Sequence, residues 1–163
     1  LFFILFAYTF LYTASYVNLM KTKNVREEAS EWIDHNIPKT AIIGISKSYY
    51  WTPSIIRQYN PPYKVLAGGG IQSHLDESVR GLKKVMRIAD YIVISDFEYR
   101  EFLRLPKHFP EENKILTEIM FEKYREIARF EKSPSAFGIT FKKRWPPADW
   151  MYPNPTIIVL KRK

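Results

Sequence analysis

The sequence predicts an α/β domain in three layers, Rossmann-like in the loose sense, with a mostly parallel sheet and room for an antiparallel edge near the C-terminus, all preceded by one hydrophobic, transmembrane helix. Three observations carry that reading. Residues 1–20 hold no charge, segment 41–45 is a short apolar run and 91–95 a strand-like run that ends in Ser95, and amphipathic helical stretches separate such runs. A strand covered on both faces reads as a continuous apolar run, whereas a half-exposed strand alternates.

At about 1.5 Å per residue, residues 1–20 cover the ~30 Å of hydrocarbon in a bilayer. Leu1 to Leu11 is almost wholly apolar, while Tyr12, Thr13, Ser15, Tyr16 and Asn18 suit headgroup level, so the helix is expected to leave the bilayer near Tyr16. The opening Leu1-Phe2-Phe3 lacks the basic start of a signal peptide, and the segment reads as the tail of a longer membrane region. Its seven aromatics would also suit a buried helix of a soluble protein. Lys21, Lys23 and Arg26 follow, a bias that taken alone would put the rest of the chain in the cytoplasm.

Residues 21–163 form the second unit, a soluble α/β domain. Asn24 with Glu27 is an N-cap pair, and Val25, Ala29, Trp32 and Ile33 share one helical face until Pro38. The strand at 41–45 is followed by a loop at 46–51, a short helix at 54–59 and the Asn60-Pro61-Pro62 break. A second strand at 63–67 runs into Gly68-Gly69-Gly70, and a helix opening near Ser73 carries Leu75, Val79, Leu82 and Met86 as its apolar stripe. Its acidic residues come first and its basic residues last, the order the helix dipole favours.

The clearest strand is 91–95, after which Ser95 and Glu98 make a capping-box pattern for a helix through about Leu105. Pro110 suits the first turn of a helix over 111–124. Strands are expected at 127–131 and 156–161, and a weaker one at 137–141. The segment 144–155, with four Pro and two Trp, reads as an ordered surface loop.

The chain has no Cys, which removes disulfides and thiolate metal sites. A net charge of +8 would reward nucleic acid, acidic lipid or a phosphorylated ligand, and the same Lys- and Glu-rich composition is typical of proteins from hot environments. No stacking sheet or basic recognition helix accompanies the charge, so nucleic acid is not expected as a partner.

Open α/β sheets bind ligands beyond the C-terminal ends of their strands, so the loops at 46–51, 68–74 and 95–97 should share one edge and make the principal concave surface. Gly68, Gly69 and Gly70 before a helix, with Ser73 and His74, could offer backbone N–H groups to an anion; a plain tight turn has the same pattern. Ser46 borders them. Tyr49, Tyr50 and Trp51 could stack on a sugar ring, or serve as core or membrane-contacting residues. Asp96 is the one carboxylate worth testing, although capping accounts for its cluster with Asp90 and Glu98. His35, His74 and His108 lack metal-site spacing, no nucleophile elbow occurs, and no catalytic residue, metal or cofactor is expected.

The order of motifs carries a resemblance. A hydrophobic helix leads to a helix with Arg26, Glu28, Ala29, Trp32, Ile33, Ile37 and Pro38; then come Ala-Asp-Tyr-Ile-Val-Ile-Ser with an aromatic-Glu-Tyr continuation (Ala89 to Tyr99) and Asn-Pro-Thr-Ile (Asn154 to Ile157). This resembles the C-terminal soluble domain of archaeal polytopic glycosyltransferases of the GT-C type, those similar to dolichyl-phosphate-mannose protein mannosyltransferases. The resemblance implies a cell-membrane protein whose soluble domain is extracytoplasmic and packs on the transmembrane bundle of its parent chain. It also implies a polyprenyl-phosphate sugar donor and a glycan or protein acceptor. The catalytic carboxylates of that family lie in membrane loops outside these residues, which leaves acceptor recognition or structural support to the domain. A membrane-tethered binding module for a small anionic ligand at the glycine edge is the competing expectation.

Overall fold

The computed structural model describes residues 2–57, 61–141 and 154–163. Helix α1 (Phe2–Lys21) leads to α2 (Val25–Asn36), β1 (Ile42–Ile45), α3 (Ser54–Arg57) and β2 (Lys64–Ala67). Next come α4 (Leu75–Val85), β3 (Tyr91–Ser95), α5 (Asp96–Arg104) and α6 (Pro110–Thr117), which a π-helical turn at Glu118–Lys123 connects to β4 (Tyr124–Phe130). A two-stranded hairpin, β5 (Ser135–Ala136) and β6 (Ile139–Thr140), and the strand β7 (Ile157–Arg162) complete the described chain.

The main sheet has the order β2-β1-β3-β7-β4 and is mixed. Strands β1, β2 and β3 are parallel, while β7 runs antiparallel to both β3 and β4. The C-terminal strand was expected at an antiparallel edge; it lies inside the sheet, and β4 is the edge. Burial explains the difference. Ile157, Ile158, Val159 and Leu160 are all buried, so β7 needs cover on both faces, whereas β4 buries only Tyr124 fully and exposes Arg125, Glu126 and Arg129.

Side chains divide by parity between the two faces, because successive residues of a strand point to opposite sides. Ile92, Ile94, Ile158 and Leu160 meet Val79, Leu82 and Val85 of α4, Phe102 of α5 and Ile115 and Leu116 of α6. Tyr91, Val93, Ile157 and Val159, with Ile43 and Ile45, meet Val25, Ala29 and Ile33 of α2 and Ile56 of α3. Arg80 joins two helices of the first layer by bonding Asp76 on α4 and Glu112 on α6 at 2.9 and 3.0 Å.

Local signals set the helix starts. Asn24 caps α2 by accepting from the Arg26 amide at 2.9 Å, and Ser95 with Glu98 forms the capping box of α5. Pro110 occupies the first turn of α6. That helix was expected to run to residue 124, but it ends in the π-helical turn and Tyr124 opens β4. The Tyr124 ring is buried, and its hydroxyl donates to the carbonyls of Met86 and Ala89, contacts a helical Tyr124 would forfeit.

Helix α1 is long and apolar enough to cross a membrane by length and composition. Phe2, Phe3, Ile4, Leu5 and Phe6 are exposed, and the domain first covers the helix around Leu11. There the β5–β6 hairpin lies on it. Ser15 is fully buried, the Asn18 side-chain amide donates to the Ser135 carbonyl at 2.9 Å, and Phe141 meets Tyr8 and Tyr12 edge-on. The segment expected as a weak strand at 137–141 is therefore half of a hairpin. Phe137 and Gly138 form its two-residue turn with φ of 51° and 80°, the mirror-type geometry that suits strand twist. Most of the expected Pro- and Trp-rich loop at 144–155 and the end of the helix at 54–59 lie outside the described residues.

Candidate functional site

Three parallel strands deliver their following loops to one edge, and the structure brings those loops together. The Gly68 amide donates to the Ile45 carbonyl and the Gly69 amide to the Ser46 carbonyl, each at 2.9 Å. The Lys47 ammonium donates to the Ser73 carbonyl at 2.8 Å, and Trp51 stacks on Phe97 at 5.1 Å with 13° between rings. Ser46, Tyr49, Tyr50, Trp51, Gly68, Gly69, Gly70, Ser73, His74 and Asp96 thus border one region, as the topology requires.

The glycines, however, do something other than cradle an anion. All three amides are engaged from within, since the Gly70 amide donates to the Ser73 hydroxyl at 3.0 Å. None of the three has a positive φ; among the described residues only Phe137 and Gly138 do. A Cβ on Gly68 would come within 2.2 Å of the Ser78 carbonyl oxygen, and one on Gly69 within 2.4 Å of the Ser78 hydroxyl. Gly68 and Gly69 are where α4 approaches the sheet edge, a close backbone passage that any side chain would obstruct. Gly70 faces open space, with only Ser73 Oγ at 3.8 Å from a built Cβ. His74 caps α4 together with Glu77.

Beneath the loops sits a buried carboxylate that sequence reasoning assigned to capping alone. Glu98 is buried, accepts a short hydrogen bond from the Ser46 hydroxyl and another from the Ser95 amide at 2.5 Å, and so ties the loop after β1 to the start of α5. Burial raises its pKa above the ordinary carboxylate range, outweighing the donors from Ser46 and Ser95 that favour the charged form. The Trp51 indole lies close enough to lower that pKa somewhat, yet its N–H makes no hydrogen bond of acceptable geometry. Around Trp51, Thr52, Val93 and Glu98 there is no room for a water molecule. Asp96 is also buried, and its amide donates to the Thr156 carbonyl, which ties it to the start of β7. The spacing Ser-x-x-Glu signalled Glu98; the hydroxyl from residue 46 carried no such signal.

What the edge offers outward is aromatic. Tyr49 and Tyr50 are half-buried with ring centroids 4.4 Å apart, both rest on Trp51, and the Lys47 ammonium lies 5.0 Å from the Tyr49 ring centre. Lys47, itself buried, is the functional candidate the sequence reading missed, because a single lysine after a strand has no distinguishing pattern. A separate cavity of about 170 Å³ lies at the junction of α1 with the domain, between Tyr16, Met20, Lys23 and Lys132.

Among the described residues no group of three or more His, Asp or Glu is placed to hold a metal ion. Comparison with protein-family models, with curated proteins and with solved structures finds no match to this chain.

Proposed function

We propose that this chain is the membrane-anchored C-terminal accessory domain of a polytopic glycosyltransferase that uses a polyprenyl-phosphate sugar, and that it serves acceptor recognition or braces the transmembrane bundle. The observation that carries the reading is the aromatic platform of Tyr49 and Tyr50, backed by the buried Trp51 and held at the C-terminal edge of the parallel strands beside the Lys47 ammonium. Aromatic faces suit the C–H faces of a sugar, and a fixed cation beside them suits polar or acidic substituents. The motif order from Arg26 to Ile157 supports the same family, and α1 supplies an anchor in keeping with it. In this reading the domain is extracytoplasmic, because topology is set over many helices rather than by Lys21, Lys23 and Arg26 alone.

The rival reading, a tethered module for a small anion at Gly68–Gly70, would need donors that Ile45, Ser46 and Ser73 already occupy. Incubating the chain with a polyprenyl-phosphate sugar and a glycan acceptor tests the proposal. No transfer, together with acceptor binding, is expected; turnover by the chain itself would overturn the accessory role.

A further inference from the structure

We infer that the bilayer surface crosses α1 between Tyr8 and Tyr12, so that only the bare half of the helix lies in lipid and the β5–β6 hairpin rests on the headgroups. The inference rests on α1 entering a bilayer, as in the proposed function, and adds where the surface lies. It departs from the sequence expectation, which put the crossing near Tyr16.

The hairpin fixes the level. Among the described residues it is a two-stranded sheet, and a strand edge left unpaired is not tolerated in hydrocarbon, where no water satisfies its N–H and C=O groups. Because Ser15 is buried and Asn18 bonds Ser135, the hairpin holds the second half of α1 outside the hydrocarbon. The first half, Phe2 through Phe10, is exposed and touched by Phe141 at Tyr8, and its nine residues account for about 14 Å at ~1.5 Å each.

Between the halves stand Tyr8 and Tyr12, stacked at 6.0 Å and met edge-on by Phe141 at 6.0 and 5.2 Å. Tyrosines with an apolar ring and a wet hydroxyl concentrate at this level of a bilayer. The hairpin also presents Phe137, 79% exposed, and Ile139, 46% exposed. A bulky aromatic at positive φ is costly, so its position at a turn, bare of protein contact area, points to a use for the ring outside the domain. Contact with the headgroup zone is that use.

The chain contains no Cys, so single cysteines can be placed at exposed positions without disturbing packing: Phe3→Cys, Phe6→Cys, Val17→Cys and Phe137→Cys. Each is labelled with a polarity-sensitive fluorophore in the full chain, reconstituted in vesicles of phosphatidylcholine and phosphatidylglycerol carrying bromines at defined acyl depths; circular dichroism checks the fold. Labels at 3 and 6 should be quenched by deep bromines at least twofold more than the label at 17, which aqueous iodide should reach. The label at 137 should respond to bromines near the headgroups and not to deep ones. Deep quenching at 17 would overturn the inference and leave α1 a membrane helix. A label at 137 seen only by iodide would remove the hairpin from the surface. Absence of lipid quenching at 3 and 6 would overturn the anchor itself and with it the proposed function.

Discussion

A Cβ placed on Gly81 would come within 1.8 Å of the Gly68 carbonyl oxygen, so α4 and the end of β2 are in direct backbone contact. Gly68 answers from the other side, where a Cβ would meet the Ser78 carbonyl at 2.2 Å and the Leu82 amide nitrogen at 2.8 Å. These atoms are backbone and cannot rotate away, so the helix itself must shift. Gly81→Ala and Gly68→Ala should each destabilise the chain by about 3 kcal/mol, the cost of overpacking a well-fitted contact. Gly70→Ala meets nothing closer than ordinary van der Waals distance and needs no positive φ. It should leave stability unchanged or raise it by about 0.5 kcal/mol through the unfolded state. Chemical denaturation of the three variants in detergent separates the cases.

Glu98 makes the stability of the domain depend on pH in an unusual direction. Its folded pKa is raised by burial, so the folded state holds the proton more tightly than the unfolded chain, whose Glu titrates near ~4.3. The contribution of this group is therefore fully present below the unfolded value and is lost as pH rises through the raised folded pKa. Glu98→Gln keeps the cap, because the amide oxygen can accept from the Ser95 amide while the amide nitrogen donates to the Ser46 hydroxyl. The variant should be the more stable protein at neutral pH and should lack the decline from acid to neutral that the parent shows. Urea midpoints measured across that range check both statements; equal slopes for the two proteins would place the titrating group elsewhere.

Much of this architecture is legible in the sequence because it follows from local chemistry. The run Tyr91–Ile94 carries apolar or aromatic side chains throughout and Ser95 with Glu98 is a cap signal, so strand and helix start were both readable. The position of β7 was not, since burial of Ile157 to Leu160 on both faces says that the strand is internal but not between which neighbours. Nor was the end of α6, because the helical pattern continues through Met120 and only the bonds from Tyr124 to Met86 and Ala89 show why the strand begins there. At the strand edge the loops converge as the topology demands. The meaning of Gly68 and Gly69 was hidden because it depends on Ser78 and Gly81 of a helix that follows them.

At the opposite end of the sheet, Tyr124 and Arg162 serve the same pair of carbonyls. The tyrosine hydroxyl donates to Met86 at 3.2 Å and Ala89 at 2.8 Å, and the guanidinium of Arg162 reaches the same oxygens at 2.9 and 2.8 Å. These carbonyls follow the end of α4, where the helix leaves acceptors unsatisfied. Removal of the buried hydroxyl in Tyr124→Phe should cost about 1 kcal/mol, because Arg162 still satisfies both oxygens. Tyr124→Phe combined with Arg162→Met should cost more than the sum of the single changes, since the acceptors are then orphaned. A double-mutant cycle in denaturant gives the coupling, and strict additivity would show that the two donors act independently.

The aromatic platform separates binding from folding residue by residue. Trp51 is 7% exposed and stacks on Phe97 over the Glu98 cluster, so Trp51→Ala should destabilise the domain by about 3–5 kcal/mol and cannot report on a ligand cleanly. Tyr49 and Tyr50 lie outside that stack and are half-buried, so truncating either should cost far less stability. If the platform receives a sugar, Tyr50→Ala should weaken acceptor binding about tenfold, the equivalent of 1.4 kcal/mol, with the chain still folded. Lys47→Met should leave a neutral acceptor little affected and weaken an acidic one, because it removes the charge beside Tyr49 and keeps the length of the side chain. Loss of the Lys47 bond to the Ser73 carbonyl will also loosen the loop, so the comparison between neutral and acidic acceptors carries the test, rather than either affinity alone. Equal weakening for both acceptors would reduce Lys47 to a structural tie, and unchanged binding in Tyr50→Ala would remove the platform from acceptor recognition.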